Sequence, residues 1–200
     1  MRKTILILHL VLGLWIRLDS AKGEEKPLPP RWALKTNVAY LATTTPNVGV
    51  EYALTEKVTV ELTASYNPFR FGSKEANKKL QHWLVRPEVR WWYCEKYTGS
   101  FWGVNAYYGR FNGGGIKFPF SIYPSFKDYR REGTVVGSSI RYGYHFMLSD
   151  RWSIETSLAV GYAYLKYDKY DCGSCGKYRE SKEKHYIGPT GLSVSLVYLF

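Results

Sequence analysis

Beyond residue 32 the apolar residues recur at every second position, in eight separate segments: Ala33 to Thr44, Val48 to Leu54, Val58 to Asn67, Trp83 to Cys94, Phe101 to Asn112, Thr134 to Phe146, Trp152 to Leu165 and Tyr186 to Phe200. A period of two is the repeat of a strand, whose side chains point alternately to the two faces of a sheet. The chain is therefore predicted to be all-β. With 200 residues, 45% of them hydrophobic, it has enough material for one folded unit. The spacers also differ in length. Thr45 to Asn47, Thr55 to Lys57, Glu95 to Ser100 and Met147 to Arg151 are short, whereas Pro68 to His82, Gly113 to Gly133 and Lys166 to His185 are long. In an up-and-down antiparallel sheet closed on itself, alternate connections lie at opposite ends. Apart from the first, the odd-numbered connections here are long and the even-numbered ones tight, as in an outer-membrane barrel.

The residues on the less apolar face decide which side is inside. That face carries Gly49, Ala53, Thr63, Ser65, Gly103, Asn105, Gly109, Gly143, Ser193 and Ser195, which are small rather than long and charged. A sheet facing water would show lysine, glutamate and glutamine; the interior of a narrow eight-stranded barrel has room for little more than small side chains and paired charges. The opposite face, with Val50, Leu62, Val89, Val104, Ile140 and Leu158, suits lipid. Aromatic residues make up 17% of the chain. Tyr52, Tyr93, Trp102, Phe146 and Trp152 gather toward the tight-turn end, and Tyr40, Tyr66, Trp83, Tyr108 and Tyr164 toward the other, giving the two girdles that water and lipid boundaries favour. The predicted fold is an eight-stranded antiparallel up-and-down transmembrane β-barrel over residues 33–200.

The first 23 residues read as a cleaved secretory signal peptide: Arg2 and Lys3 precede an apolar run from Ile5 to Ile16, which is about half of the ~20 residues a spanning helix needs, and Ala21-Lys22-Gly23 offers a cleavage site. Residues 24–32 form a charged, proline-containing periplasmic lead. The expected location is the outer membrane of a Gram-negative bacterium. At the far end, GLSVSLVYLF alternates up to a terminal aromatic, so Tyr198 and Phe200 are read as the signal recognised by the barrel-insertion machinery.

Several residue groups could carry chemistry. Lys35, Glu51, Glu61, Arg86, Glu88, Arg90, Arg141 and Glu155 all fall on the interior face. If the turn at Thr55 to Lys57 sets the register, Glu51 stands opposite Glu61, and two like charges there need a cation from Arg86 or Arg90 on the next strand. Such a network would plug the lumen; a narrow small-solute channel is the alternative, and buried charges must be paired either way. In the last long connection, Cys172 and Cys175 form a CxxC in an exported chain, which favours a local disulfide. Zinc wants four ligands, and only His185 offers a nearby third, so no metal or cofactor is expected. Cys94 is left over. His82, His185, Ser73, Ser181, Asp168 and Asp171 sit in or beside the long connections without a nucleophile elbow or an acid–base spacing, so no enzymatic activity is expected; a lipid-modifying or proteolytic barrel enzyme is the remaining alternative. The net charge of +11 is unevenly distributed, and all three long connections are basic, at +3 for Pro68 to His82, +2 for Gly113 to Gly133 and +2 for Lys166 to His185. In an exported protein such charge meets lipopolysaccharide phosphates, surface glycans or a protein partner before any nucleic acid.

From Trp32 to Phe200 the chain resembles a Bacteroidetes family of domains of unknown function, number 3575. The resemblance is carried by LKTNVAYLATTTPNVGVEY, NKKLQHWLVRPEVRWWYCE, FNGGGI, RWSIETSLAVGYAYLKYDKYDCGSCGK and HYIGPTGLSVSLVYLF. It implies a barrel-like fold at the cell surface and no established activity.

Overall fold

The computed structural model describes residues 30–42, 44–71, 78–114, 129–171 and 177–200. The strands are β1 (Trp32–Asn37), β2 (Asn47–Ala53), β3 (Val58–Asn67), β4 (Arg70–Phe71), β5 (Lys78–Trp92), β6 (Gly99–Gly114), β7 (Tyr129–Met147), β8 (Trp152–Asp171) and β9 (Tyr178–Leu199). A five-residue helix, α1 (Val38–Ala42), follows β1. The two-residue β4 continues β3 against β5 in unchanged register, Asn67 facing His82 and Arg70 facing Lys79. Eight antiparallel strands thus run in the order β3-β2-β1-β9-β8-β7-β6-β5, and the β3–β5 ladder closes them into a ring.

Closure is oblique. A row of paired residues leads from Leu34 through Val50, Leu62, Ala106, Ser138 and Tyr162 to Ile187 on β9, yet Leu34 itself pairs with Tyr198. That offset along β9 is the stagger by which a closed sheet tilts its strands against its axis. Pro87 lies in this row opposite Leu62, and the β5–β6 ladder skips Arg86 and Pro87 because proline has no N–H to donate.

The polarity of the ring is inverted relative to a protein folded in water. Glu51, Glu88, Arg90, Arg141 and Glu155 are buried inside it, while Leu62, Ile140 and Leu192 on the outer face are each more than half exposed. Strand alternation holds the two sets apart, and β6 shows it cleanly: Phe101, Gly103, Asn105, Tyr107 and Gly109 are buried, and Trp102, Val104, Ala106 and Tyr108 are exposed.

Strand ends differ from the sequence expectation in three places, one being β5, which starts at Lys78 rather than Trp83 and with β4 takes up part of the connection expected over Pro68 to His82. The first segment stops being a strand at Asn37. The Asn37 side chain accepts a hydrogen bond from the Ala39 amide at 3.0 Å, and its backbone is held by Asn47 at 2.6 and 3.0 Å, so local polar contacts turn the chain into α1 before Thr44. The β1–β2 connection therefore spans residues 38–46 and is no exception to the pattern of longer connections at that end. Conversely β7, β8 and β9 run to 19, 20 and 22 residues, well beyond the predicted bounds. Their extensions are built of charged and polar residues that pair with each other, such as Glu132 with Asp168 and Lys166 with Glu183, and carry no apolar alternation from which a strand could be read.

The short connections at residues 54–57, 93–98 and 148–151 lie together at the opposite end, beside Trp32 and Phe200. Tyr97 in the second of them has a φ of 61°, a conformation a bulky residue holds only when its surroundings demand it. Here the demand is packing. The turn folds under the ring, Lys96 donates from its amide to the Glu56 carbonyl at 2.7 Å, and the Tyr97 hydroxyl reaches the Arg31 carbonyl at 3.0 Å. The Tyr97 ring thereby joins Trp92, Phe101, Val197, Leu199, Ala33 and Ala53 in an apolar cluster that fills the tight-turn end.

Candidate functional site

Above that cluster the interior is occupied by charge. Arg90 is the hub. Its guanidinium lies 2.7 Å from Glu61, 2.7 Å from Glu88, 2.9 Å from Glu155 and 3.2 Å from Glu51, while its flat face rests 4.5 Å from the Phe101 ring centroid. Lys35, entering from β1, meets Glu155 at 2.6 Å and Glu61 at 3.0 Å and also contacts Glu51. Arg141 on β7 donates to Glu88 at 2.8 Å and to the Ser157 hydroxyl at 2.7 Å. Further carboxylate lone pairs find donors on the wall: Asn105 reaches Glu88 at 2.9 Å, Ser139 supports Asn105 at 2.7 Å, and Thr59 donates to Glu51 while accepting from the Trp92 indole at 3.0 Å. Charges taken out of water need such pairing.

The cluster exists because the strands leave room for it. A Cβ at Gly103 would stand 2.7 Å from the Glu88 carboxylate, and one at Gly143 would overlap the Phe101 ring. The small residues on the inner face are thus the clearance into which the large side chains of neighbouring strands lean.

Of the predicted interior residues, Lys35, Glu51, Glu61, Glu88, Arg90, Arg141 and Glu155 come together in this one network. Arg86 does not join it. It faces Thr63, one row further toward the long-connection end, with its guanidinium 5.9 Å from the Tyr107 ring centroid, so of the two arginines considered as the cation for Glu51 and Glu61 only Arg90 serves. Two participants escaped the sequence reading. His145 is buried between Trp92 and Tyr97, with Nδ1 3.6 Å from Glu155, and Tyr97 sits in what looked like an ordinary turn. Inward parity from Arg141 and Gly143 would have found His145; no periodicity reaches Tyr97.

The other candidates are dispersed. His82 lies on the inner face of β5, whereas His185 lies on the outer face of β9, bonded to the Tyr162 hydroxyl at 2.5 Å. Asp168 and Ser181 face one another across β8 and β9. On the extension, Lys182 and Lys169 lie 3.0 and 3.4 Å from Glu180, and hydrogen bonding from Lys182 holds that carboxyl below the usual carboxylate range. Cys94 is a free, exposed thiol. Cys172, Cys175 and Ser73 lie outside the described residues, as do residues 1–29. Among the described residues no group of three or more His, Cys, Asp or Glu is placed to hold a metal ion.

At the chain's C-terminal end, Tyr198 packs against Trp152 with ring centroids 4.9 Å apart and accepts from Arg151 at 3.2 Å, and the Phe200 backbone exchanges hydrogen bonds of 2.9 and 3.1 Å with Trp32. The last residues thus close the ring.

A family model described as "Protein of unknown function (DUF3575)" matches residues 6–200. The chain belongs to the DUF3575 family. No curated protein matches it. Membership of DUF3575 brings a sequence pattern without an activity.

Proposed function

We propose that this DUF3575 protein is a non-conducting, non-enzymatic transmembrane β-barrel of the outer membrane, which anchors a polar extension of strands β6 to β9 at the cell surface. The observation that carries this reading is the inverted polarity: a paired ionic cluster inside, and a continuous apolar belt outside. The belt has the right height. From β5 into the turn after it the belt runs from Trp83 to Tyr93, and along β7 from Val136 to Phe146, with aromatic residues at three of these four ends. Ten residue steps cover about 33 Å of strand, and a tilt of 35–45° reduces this to about 25 Å, the band of a transmembrane barrel. Beyond the belt the outer face turns polar at Arg110, Glu132 and Lys166. Paired rings mark both edges: Trp32 with Tyr52 at 4.6 Å and Trp102 with Tyr142 at 4.9 Å at one, Trp83 with Tyr108 at 5.5 Å at the other.

Conduction is not expected of such an interior. Arg90 bridges carboxylates from β2, β3, β5 and β8, and the apolar cluster seals the end below it. The partners this reading implies are outer-membrane lipid and lipopolysaccharide around the belt, the barrel-insertion machinery at β9, and a surface glycan or protein at the extension. The test is reconstitution. Purified protein folded into lipid should migrate differently on a gel before and after boiling, and should give no regular current steps in planar bilayers. Large ion-selective steps from the unaltered protein would make it a channel.

A further inference from the structure

Between the ionic cluster and the long-connection end, the inner wall changes character. Leu84, Tyr107, Val135, Ala163, Leu165 and Tyr186 surround a cavity of about 270 Å³, close to the roughly 300 Å³ at which small-molecule pockets begin. Among the described residues no carboxylate lines it, and Lys184 and Thr190 are on its wall.

Its shape comes from a local irregularity in β9. The β8–β9 register shifts between Ala159 and Val160, so that Thr190 is an extra residue on β9, a bulge of the kind that re-aims side chains. Just before it, Gly188 takes a φ of 154°, where a Cβ would stand 2.8 Å from the Tyr186 hydroxyl. That hydroxyl donates to the Pro189 carbonyl at 3.1 Å, which turns the Tyr186 ring into a wall. The Tyr107 hydroxyl donates to the Tyr162 carbonyl at 3.1 Å and fixes the ring nearby. Both phenols therefore spend their polar ends on the backbone and present carbon to the cavity.

Two polar groups are not spent in this way. Thr190 Oγ1 is buried without a hydrogen-bond partner among the described residues, a state that costs free energy unless something else occupies the space. Lys184, paired with Leu165 at the opposite end of the cavity, has no carboxylate within 4.0 Å among the described residues. Arg86, stacked on Tyr107 from the neighbouring cavity, adds to the positive character.

We infer that this cup is a binding site for a small anionic amphiphile, its apolar body against the tyrosine and leucine walls, its anionic head at Lys184, and a hydrogen-bonding group on the body within reach of Thr190. At the ~30 Å³ of a liquid water molecule per site the cup takes roughly nine heavy atoms, so the ligand is of the size of a medium-chain carboxylate. The cup belongs to the inside of the ring and does not depend on what covers the outer face.

The test uses the full chain with labelled Leu and Val methyls in lipid nanodiscs, titrated with octanoate, octanol and octylammonium. Saturable methyl shifts at Leu84, Val135 and Leu165 are expected with octanoate, at least tenfold tighter than with octylammonium. K184E should reverse that preference, and A163W, which fills the cup, should weaken octanoate at least tenfold. Lys184 is exposed, so its variant folds even if the tryptophan is not accommodated. Shifts that never saturate and appear equally at the outward methyls of Leu62 and Val104 would mean lipid partitioning and overturn the proposal. So would equal affinity for the cation and the anion. Failure to enter nanodiscs at all would count against the membrane reading alone, and the same titration would then be run in buffer.

Discussion

Glu51 on β2 stands directly opposite Glu61 on β3, and the two carboxylates are held together by one shared pair of cations, Lys35 and Arg90. Removing Arg90 would leave four buried carboxylates with Lys35 and Arg141 as the lysine and arginine paired to them among the described residues. Breaking a buried network in this way costs about 3–5 kcal/mol. Arg90→Ala is therefore expected to lose that much in a urea melt of the lipid-folded protein. Arg90→Lys should recover only part of it, because a point charge cannot reach four carboxylates in a plane. Arg86→Ala should cost about 1 kcal/mol or less, the value of its contact with Tyr107. Equal losses at Arg86 and Arg90 would contradict the hub.

Gly143 is the clearance for Phe101. Gly143→Ala is expected to destabilise the protein by about 1–3 kcal/mol, since its Cβ would overlap the Phe101 ring and come within 2.9 Å of Ser157 Cβ. Gly191→Ala meets nothing nearer than Ala159 Cβ at 3.7 Å and should be close to neutral. The double variant Gly143→Ala with Phe101→Leu should cost less than the sum of the two singles.

The terminal aromatics are predicted to act in insertion. Replacing Tyr198 and Phe200 by serine removes the packing on Trp152 while the Phe200 backbone can still pair with Trp32. Export should be unchanged and the amount of heat-modifiable protein in the outer membrane reduced. Insertion at the unaltered level would make these rings simple anchors.

How much of this was legible in the sequence follows from what alternation encodes. Period two placed Glu88 and Arg90 on one face and Val89 and Trp91 on the other without any tertiary information, and the turn at Thr55 to Lys57 fixed Glu51 against Glu61. What alternation cannot encode is height along the ring. Arg86 and Arg90 stand two residues to either side of Glu88, which pairs with Glu61, yet only Arg90, on the tight-turn side, reaches the carboxylates of β2, β3 and β8. Nor could it find the extensions of β7, β8 and β9, where charged residues replace the alternation, or Tyr97, whose burial comes from a turn folded under the ring.

Cys172 and Cys175, outside the described residues, are predicted to form a local disulfide. Both should resist alkylation until reduced, whereas Cys94 should react at once. Replacing both by serine should leave heat-dependent migration unchanged and increase protease cleavage between Asp168 and Lys184. Zinc bound in stoichiometric amount to the native protein would contradict this.

The outer apolar face is predicted to meet lipid. In a background with all three native cysteines replaced, a single cysteine at Val104, Ile140 or Leu158 carrying an environment-sensitive fluorophore should be quenched by nitroxide on the acyl chains of the bilayer and shielded from aqueous iodide. One at Glu132 or Lys166 should behave the other way round. Iodide quenching at Val104, Ile140 and Leu158 with no effect of the lipid nitroxide would show that the belt faces water and that the barrel is not in the membrane.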